Sequence, residues 1–168
     1  VLNFHQKLVF YFILANLVFL GGCVGYPRVL NFPFDSVGRS LNSNASELSP
    51  SISGEYLTFV SDRNGSQDVY LFDLKNRRLI NLPGLNAFNE IASSPSVSED
   101  GLIIVFASSI EGKTRIYLYN RETQQKRSLT ENVRGEVRNP TISADGSTVA
   151  FEVAEDGQWD LLQVTINN

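Results

Sequence analysis

Few residues in this chain could carry covalent or metal chemistry. His5 is the only histidine and Cys23 the only cysteine in 168 residues. A Ser-His-Asp hydrolase needs an imidazole beside a serine held on a sharp Gly-x-Ser-x-Gly turn. That pentapeptide is absent, and no imidazole lies beyond His5. Zinc asks for Cys or His ligands, and none occurs after residue 23. Carboxylates are what remains. A pair of them could cleave a glycosidic bond, but Asp100, Asp145 and Asp156 each precede a glycine, where turn geometry already accounts for them. Asp62, Asn64 and Asp68 offer oxygens of the kind a hard cation takes. Their spacing lacks the distal bidentate Glu of a calcium loop, and Asn64-Gly65 is a strong hairpin signal. No catalytic residue, metal or cofactor is therefore assigned.

Around these residues the chain repeats itself. Pro50-Ser51-Ile52-Ser53, Pro95-Ser96-Val97-Ser98 and Pro140-Thr141-Ile142-Ser143 are spaced 45 residues apart, close to the period of a four-stranded propeller blade. Each motif leads into a turn, at Ser53-Gly54-Glu55, Glu99-Asp100-Gly101 and Ala144-Asp145-Gly146. An apolar strand follows, then a second hairpin at Asn64-Gly65, Glu111-Gly112 and Asp156-Gly157. Third strands are expected three residues after each glycine, over 68–73, 115–120 and 160–165. Fourth strands are expected over 78–82 and 126–130. These runs are β-branched and aromatic, as half-buried strands tend to be. Tyr56, Phe59, Tyr70, Phe72, Phe106, Tyr117, Tyr119, Phe151 and Trp159 recur at blade positions, where packing between blades is their ordinary work.

The combination Pro-Ser/Thr-x-Ser-x-Asp-Gly, an apolar strand ending in Phe, and Gly-x-x-Asp-Val-Tyr-Leu-Phe-Asp resembles the WD40-like repeat of the TolB β-propeller family over about residues 45–168. The first copy departs at Ser53-Gly54 and the third carries Leu162 where tyrosine is usual. The resemblance implies an all-β fold of three WD40-like propeller blades of antiparallel strands. It also implies a non-enzymatic binding or scaffolding role in the bacterial envelope, with envelope proteins as partners, a peptidoglycan-associated lipoprotein among them. Because one fold hosts many functions, a propeller-type polysaccharide-acting enzyme or sugar-binding protein is the alternative.

Ahead of the repeats, Leu8–Leu20 is apolar apart from Asn16 and follows Lys7. A charged start, a short apolar core and small residues describe a secretory signal. Leu20-Gly21-Gly22-Cys23 resembles the bacterial lipoprotein cleavage site, with Cys23 as the lipidated residue. The absence of Met, Val1 included, suggests a non-standard start codon or a trimmed translation. The expected layout is a lipoprotein signal peptide over 1–22, a tether with a potential closing strand over 23–47, and the propeller repeats over 48–168. A lipid on Cys23 would hold the domain at a membrane, each buried methylene adding about 0.8 kcal/mol.

Without Lys7, 13 basic residues face 18 acidic ones, a net charge of −5, which argues against nucleic acid as a partner. Binding residues gather on loops held by a rigid scaffold. The loops leading into each first strand are expected to line the central opening, and their polar residues Asn89, Glu90, Arg134, Glu136 and Arg138 are the binding candidates. A closed propeller takes about four to eight blades. Three blades would leave apolar faces or open edges, which leaves two expectations: a homodimer forming a six-blade ring, with Arg39–Leu41 of one copy filling the fourth-strand position of the other, or a partial propeller that docks as an open wedge on a different propeller protein.

Overall fold

The computed structural model describes Asn3 and residues 39–166; the signal sequence, Cys23 and most of the tether lie outside the described residues. Among the described residues eleven strands form three antiparallel sheets. Blade 1 holds β1 (Glu47–Ser53), β2 (Tyr56–Ser61), β3 (Asp68–Asp73) and β4 (Arg78–Ile80). Blade 2 holds β5 (Ile91–Val97), β6 (Ile103–Ile110), β7 (Lys113–Asn120) and β8 (Gln125–Ser128). Blade 3 holds β9 (Glu136–Ile142), β10 (Thr148–Glu155) and β11 (Gln158–Thr165). Neighbours in each sheet follow chain order, so every connection within a sheet is a hairpin. The chain is all-β among the described residues, in three propeller-type blades.

The repeat motif has a physical reason. In blade 2 the Ser98 hydroxyl donates to Asp100 Oδ1 at 2.6 Å and accepts from the Ile103 N–H at 3.0 Å. In blade 3 Ser143 donates to Asp145 and accepts from the Thr148 N–H at 3.0 Å. Serine and aspartate thus close the turn between the first and second strands by satisfying donors the ladder leaves over. Gly101, at φ 70°, has no room for a side chain: a Cβ there would stand 2.7 Å from the Tyr56 ring. Blade 1 replaces this device with a two-residue turn, Gly54-Glu55, between paired Ser53 and Tyr56.

These hydrogen bonds also set a pH response. Ser143 and then the Ser147 N–H hold the Asp145 carboxyl below the usual carboxylate range, and Asn76 does the same for Asp73. A carboxyl whose folded-state value is depressed contributes stability above its unfolded value, and loses it as pH falls through the folded one. Asp145→Asn is expected to flatten the decline of the denaturation midpoint between about pH 5 and about pH 2. An unchanged acid limb in the variant would refute this.

The second hairpins differ from the sequence expectation. β7 and β11 begin directly after Gly112 and Gly157, because Glu111-Gly112 and Asp156-Gly157 form two-residue turns with all four φ positive. The ladders therefore extend to Ile110↔Lys113 and Glu155↔Gln158. Such turns match the twist of the flanking strands. Only blade 1 shows the three-residue delay. There the loop is longer and Gly65 N–H donates to Asp62 O at 2.9 Å. The fourth strands are also shorter than expected, ending at Ile80 and Ser128.

Blades stack through alternating side chains. Val69 and Leu71 of blade 1 meet Ile104, Phe106 and Tyr119 of blade 2. Val105, Ala107, Ile116 and Leu118 on the opposite face of blade 2 meet Val149, Phe151 and Val153 of blade 3. The free face of blade 1 is apolar too, and Leu57, Phe59 and Phe72 are buried there with Leu41. The free face of blade 3 differs. Ala150, Glu152 and Gln163 occupy the positions of Val105, Ala107 and Leu118 one period earlier. The large apolar face expected there is instead mixed, with exposed Trp159 and Leu161 beside the polar groups.

Candidate functional site

Each first strand begins at the same end of the domain, and each contains a bulge. Register breaks between Leu48 and Ser51, between Ser93 and Ser96, and opposite Ala150–Glu152. The residue before each repeat proline takes a left-handed conformation: Ser49 at φ 51°, Ser94 at 47° and Asn139 at 50°. Such residues cost of order 1–3 kcal/mol each and persist where the surroundings dictate them. Neighbouring bulges touch, since the Ser94 hydroxyl lies 3.1 Å from Asn139 Oδ1. The lead-in loops, 44–46, 86–90 and 131–135, rise from this row.

The five candidates occupy different situations. Asn89 and Arg134 are exposed loop residues, and Glu136 is the exposed first residue of β9. None of the three side chains has a hydrogen bond or ion pair among the described residues. Glu90 is half-buried and engaged: its carboxylate accepts from Lys126 Nζ at 2.8 and 2.9 Å and from the Ser108 hydroxyl at 3.2 Å. Lys126 also donates to Leu85 O at 2.9 Å. Arg138 lies on β9 opposite Glu152 and is engaged as well. Its Nε donates to Glu152 Oε2 at 2.6 Å, and its guanidinium stands 3.6 Å from the Trp159 ring centroid. Asn139 and Arg138, in that order, hold the Glu152 carboxyl below the usual carboxylate range. Glu152 thus stays ionised and is no acid catalyst near neutral pH.

Blade 1 contains a parallel arrangement. Arg63, buried under the ring faces of Phe59 and Tyr70 at 5.2 and 4.7 Å, donates to Ser40 O, Leu41 O and Glu47 Oε1 at 2.7, 2.8 and 2.9 Å. Ser61 donates to the same Glu47 oxygen at 3.3 Å, as Ser108 does to Glu90. In both blades a cation ties a carboxylate to backbone carbonyls upstream of the first strand. The carboxylates of the calcium-like loop are likewise used internally: Asp62 accepts from the Ser46 N–H and Asp68 from the Ser66 hydroxyl, both at 2.9 Å.

One residue of this end was not singled out from the sequence. Phe88, beside Asn89, is 99% exposed. Its counterparts one period away are Ser43 and Val133, so it belongs to no repeated aromatic position. Gly135, at φ 107°, brings the blade 3 loop against Ala154 O, leaving no space for a Cβ. The end therefore presents a bare aromatic ring and polar side chains on loops pinned at their bases. This arrangement suits recognition, and the carboxylates that meet serine hydroxyls here, Glu47 and Glu90, are each tied to a cation.

Comparison with known proteins agrees with the blade geometry. The chain is 27% identical over 111 residues to a TolB homolog of Chlorobaculum tepidum, covering 66% of this chain and 24% of that protein. It is 25% identical over 114 residues to the Tol-Pal system protein TolB of Desulfotalea psychrophila, covering 67% and 25%. The crystal structure of TolB from Acinetobacter baumannii superposes with a TM-score of 0.57 at 26% identity, covering 76% of this chain and 32% of that one. The blades are of the TolB propeller type. No protein-family model matches the chain. The TolB-type blades span about a quarter to a third of the length of these relatives.

Proposed function

We propose that this domain is a non-enzymatic binding module of the bacterial envelope, which takes a protein partner on its lead-in loops. The observation that carries this reading is Phe88, a fully exposed aromatic among the uncommitted polar side chains of Asn89, Arg134 and Glu136. Interface anchors are typically aromatic side chains or arginine within a polar rim. The name of the Desulfotalea psychrophila relative places that protein in a Tol-Pal system, which makes a peptidoglycan-associated lipoprotein the first partner to test. A lipid on Cys23 would keep the module at the membrane. No closing homodimer enters this reading: the free face of blade 3 is partly polar, while the apolar face of blade 1 is already covered with Leu41.

The test is capture of envelope proteins by the full chain, followed by affinity measurement with the purified lipoprotein. Phe88→Ala is expected to weaken binding by about thirtyfold, the effect of losing about 2 kcal/mol at an anchor. Arg134→Ala should have a smaller effect. Retention of full affinity in a Phe88, Asn89, Arg134 and Glu136 quadruple alanine variant would move the site elsewhere. Palmitate labelling that persists in Cys23→Ser would remove the lipid anchor from the proposal.

A further inference from the structure

The two inter-blade clefts are built from equivalent positions but filled differently. Between blades 1 and 2, Arg121 lies over Tyr56, its guanidinium carbon 5.4 Å from the ring centroid. The equivalent pair between blades 2 and 3 is Ile166 and Ile103. The equivalence is structural: Arg121 N–H donates to Leu102 O at 2.8 Å, and Ile166 N–H to Ser147 O at 2.7 Å, 45 residues later in both partners. Two large side chains are thus replaced by two isoleucines, and a cavity of about 380 Å³ remains. That volume lies within the usual range of about 300–1,000 Å³ for small-molecule sites.

The lining is divided. Ile103, Leu118 and Ile166 form an aliphatic floor, and Asn120, Thr123, Gln125 and Arg127 form the rim. Arg127 pairs with Leu118 across the β7–β8 ladder, and Gln125 with Asn120, so these side chains share one face of the sheet. The corresponding position in blade 1 is the apolar Ile80. The Arg127 side chain makes no ion pair or hydrogen bond among the described residues, and no carboxylate of those residues lines the cavity. Lys126, the other cation in the lining, is held by Glu90 and Leu85 O.

We propose that this cleft binds a small amphiphile with an aliphatic body and one carboxylate. The body lies on Ile103, Leu118 and Ile166, and the carboxylate meets the Arg127 guanidinium, with the Gln125 amide as second donor. A planar guanidinium is the side chain best matched to a carboxylate. The site is independent of the lead-in loops.

Equilibrium dialysis of radiolabelled octanoate against the full chain in non-ionic detergent, with a protein-free detergent blank, tests it. One saturable site is expected. Arg127→Gln, a change at an exposed position, should weaken it about tenfold, the loss of one charge-assisted contact. The double variant Ile103→Tyr and Ile166→Arg, which copies the filled cleft, should abolish binding and leave the β-sheet circular dichroism intact. Absence of saturable binding in the parent chain overturns the proposal. So does unchanged affinity in Arg127→Gln, or binding that survives in the folded double variant.

Discussion

Arg63→Ala is expected to destabilise the domain by about 3–5 kcal/mol, the cost of removing one partner from a buried ion pair. The Arg63 side chain is only 4% exposed and that of Glu47 19%. The variant leaves the Glu47 carboxylate with the Ser61 and Ser43 hydroxyls and the Ser43 N–H as its remaining donors. It also frees the carbonyls of Ser40 and Leu41 from the guanidinium, and with them the strap that helps bury Phe59 and Phe72. Arg63→Lys should recover only part of the loss, because an ammonium is a compact point charge without the planar fork. Urea denaturation followed by circular dichroism reads the effect. A loss under about 1 kcal/mol, the scale of exposed pairs, would mean that the strap is held by apolar contact alone.

Phe106→Ala should match or exceed that loss, at about 3–5 kcal/mol. Phe106 is 1% exposed in the core between blades 1 and 2, where its ring stacks on Tyr117 at 5.9 Å between centroids. Truncation removes apolar contact with both blades and leaves a cavity that paired strands cannot collapse around. The denaturation midpoint should fall with one cooperative transition if the blades unfold together. Two separated transitions would show that blade 1 comes apart from blades 2 and 3. Phe106→Leu, which keeps most of the volume, should cost far less.

What could be read from the sequence was what the period protects. The prolines and the apolar strands recur in all three blades, and the Ser–Asp–Gly turns in blades 2 and 3, because each serves the same ladder, so the number of repeats could be read from the spacing. The constant 45-residue interval between prolines also concealed something. Leu82 to Pro95 spans 13 residues, whereas Leu129 to Pro140 spans 11. The short Gly54-Glu55 turn of blade 1 offsets this difference and keeps the prolines in step. The loop carrying Phe88 is thus longer by two residues than its counterpart, and comparing apolar landmarks instead of prolines would have exposed it. Glu90 and Arg138 looked available because loop polarity does not disclose partners: Lys126 and Glu152 reach them from strands 36 and 14 residues away. The role of Arg63 was hidden for the same reason. Two of its acceptors are backbone carbonyls, which carry no residue identity, and the third, Glu47, lies 16 residues away.

The row of left-handed residues at Ser49, Ser94 and Asn139 has a mechanical meaning. Ladder hydrogen bonds run perpendicular to the strands. A partner tugging on the lead-in loops pulls along β5 and β9 and loads those bonds together in shear, instead of unzipping them one by one. The bulges kink the strands between two short lengths of ladder, and Ser94 and Asn139 meet across adjacent blades at that kink. Tension entering one loop is thereby shared with the neighbouring blade before it reaches the outer strands.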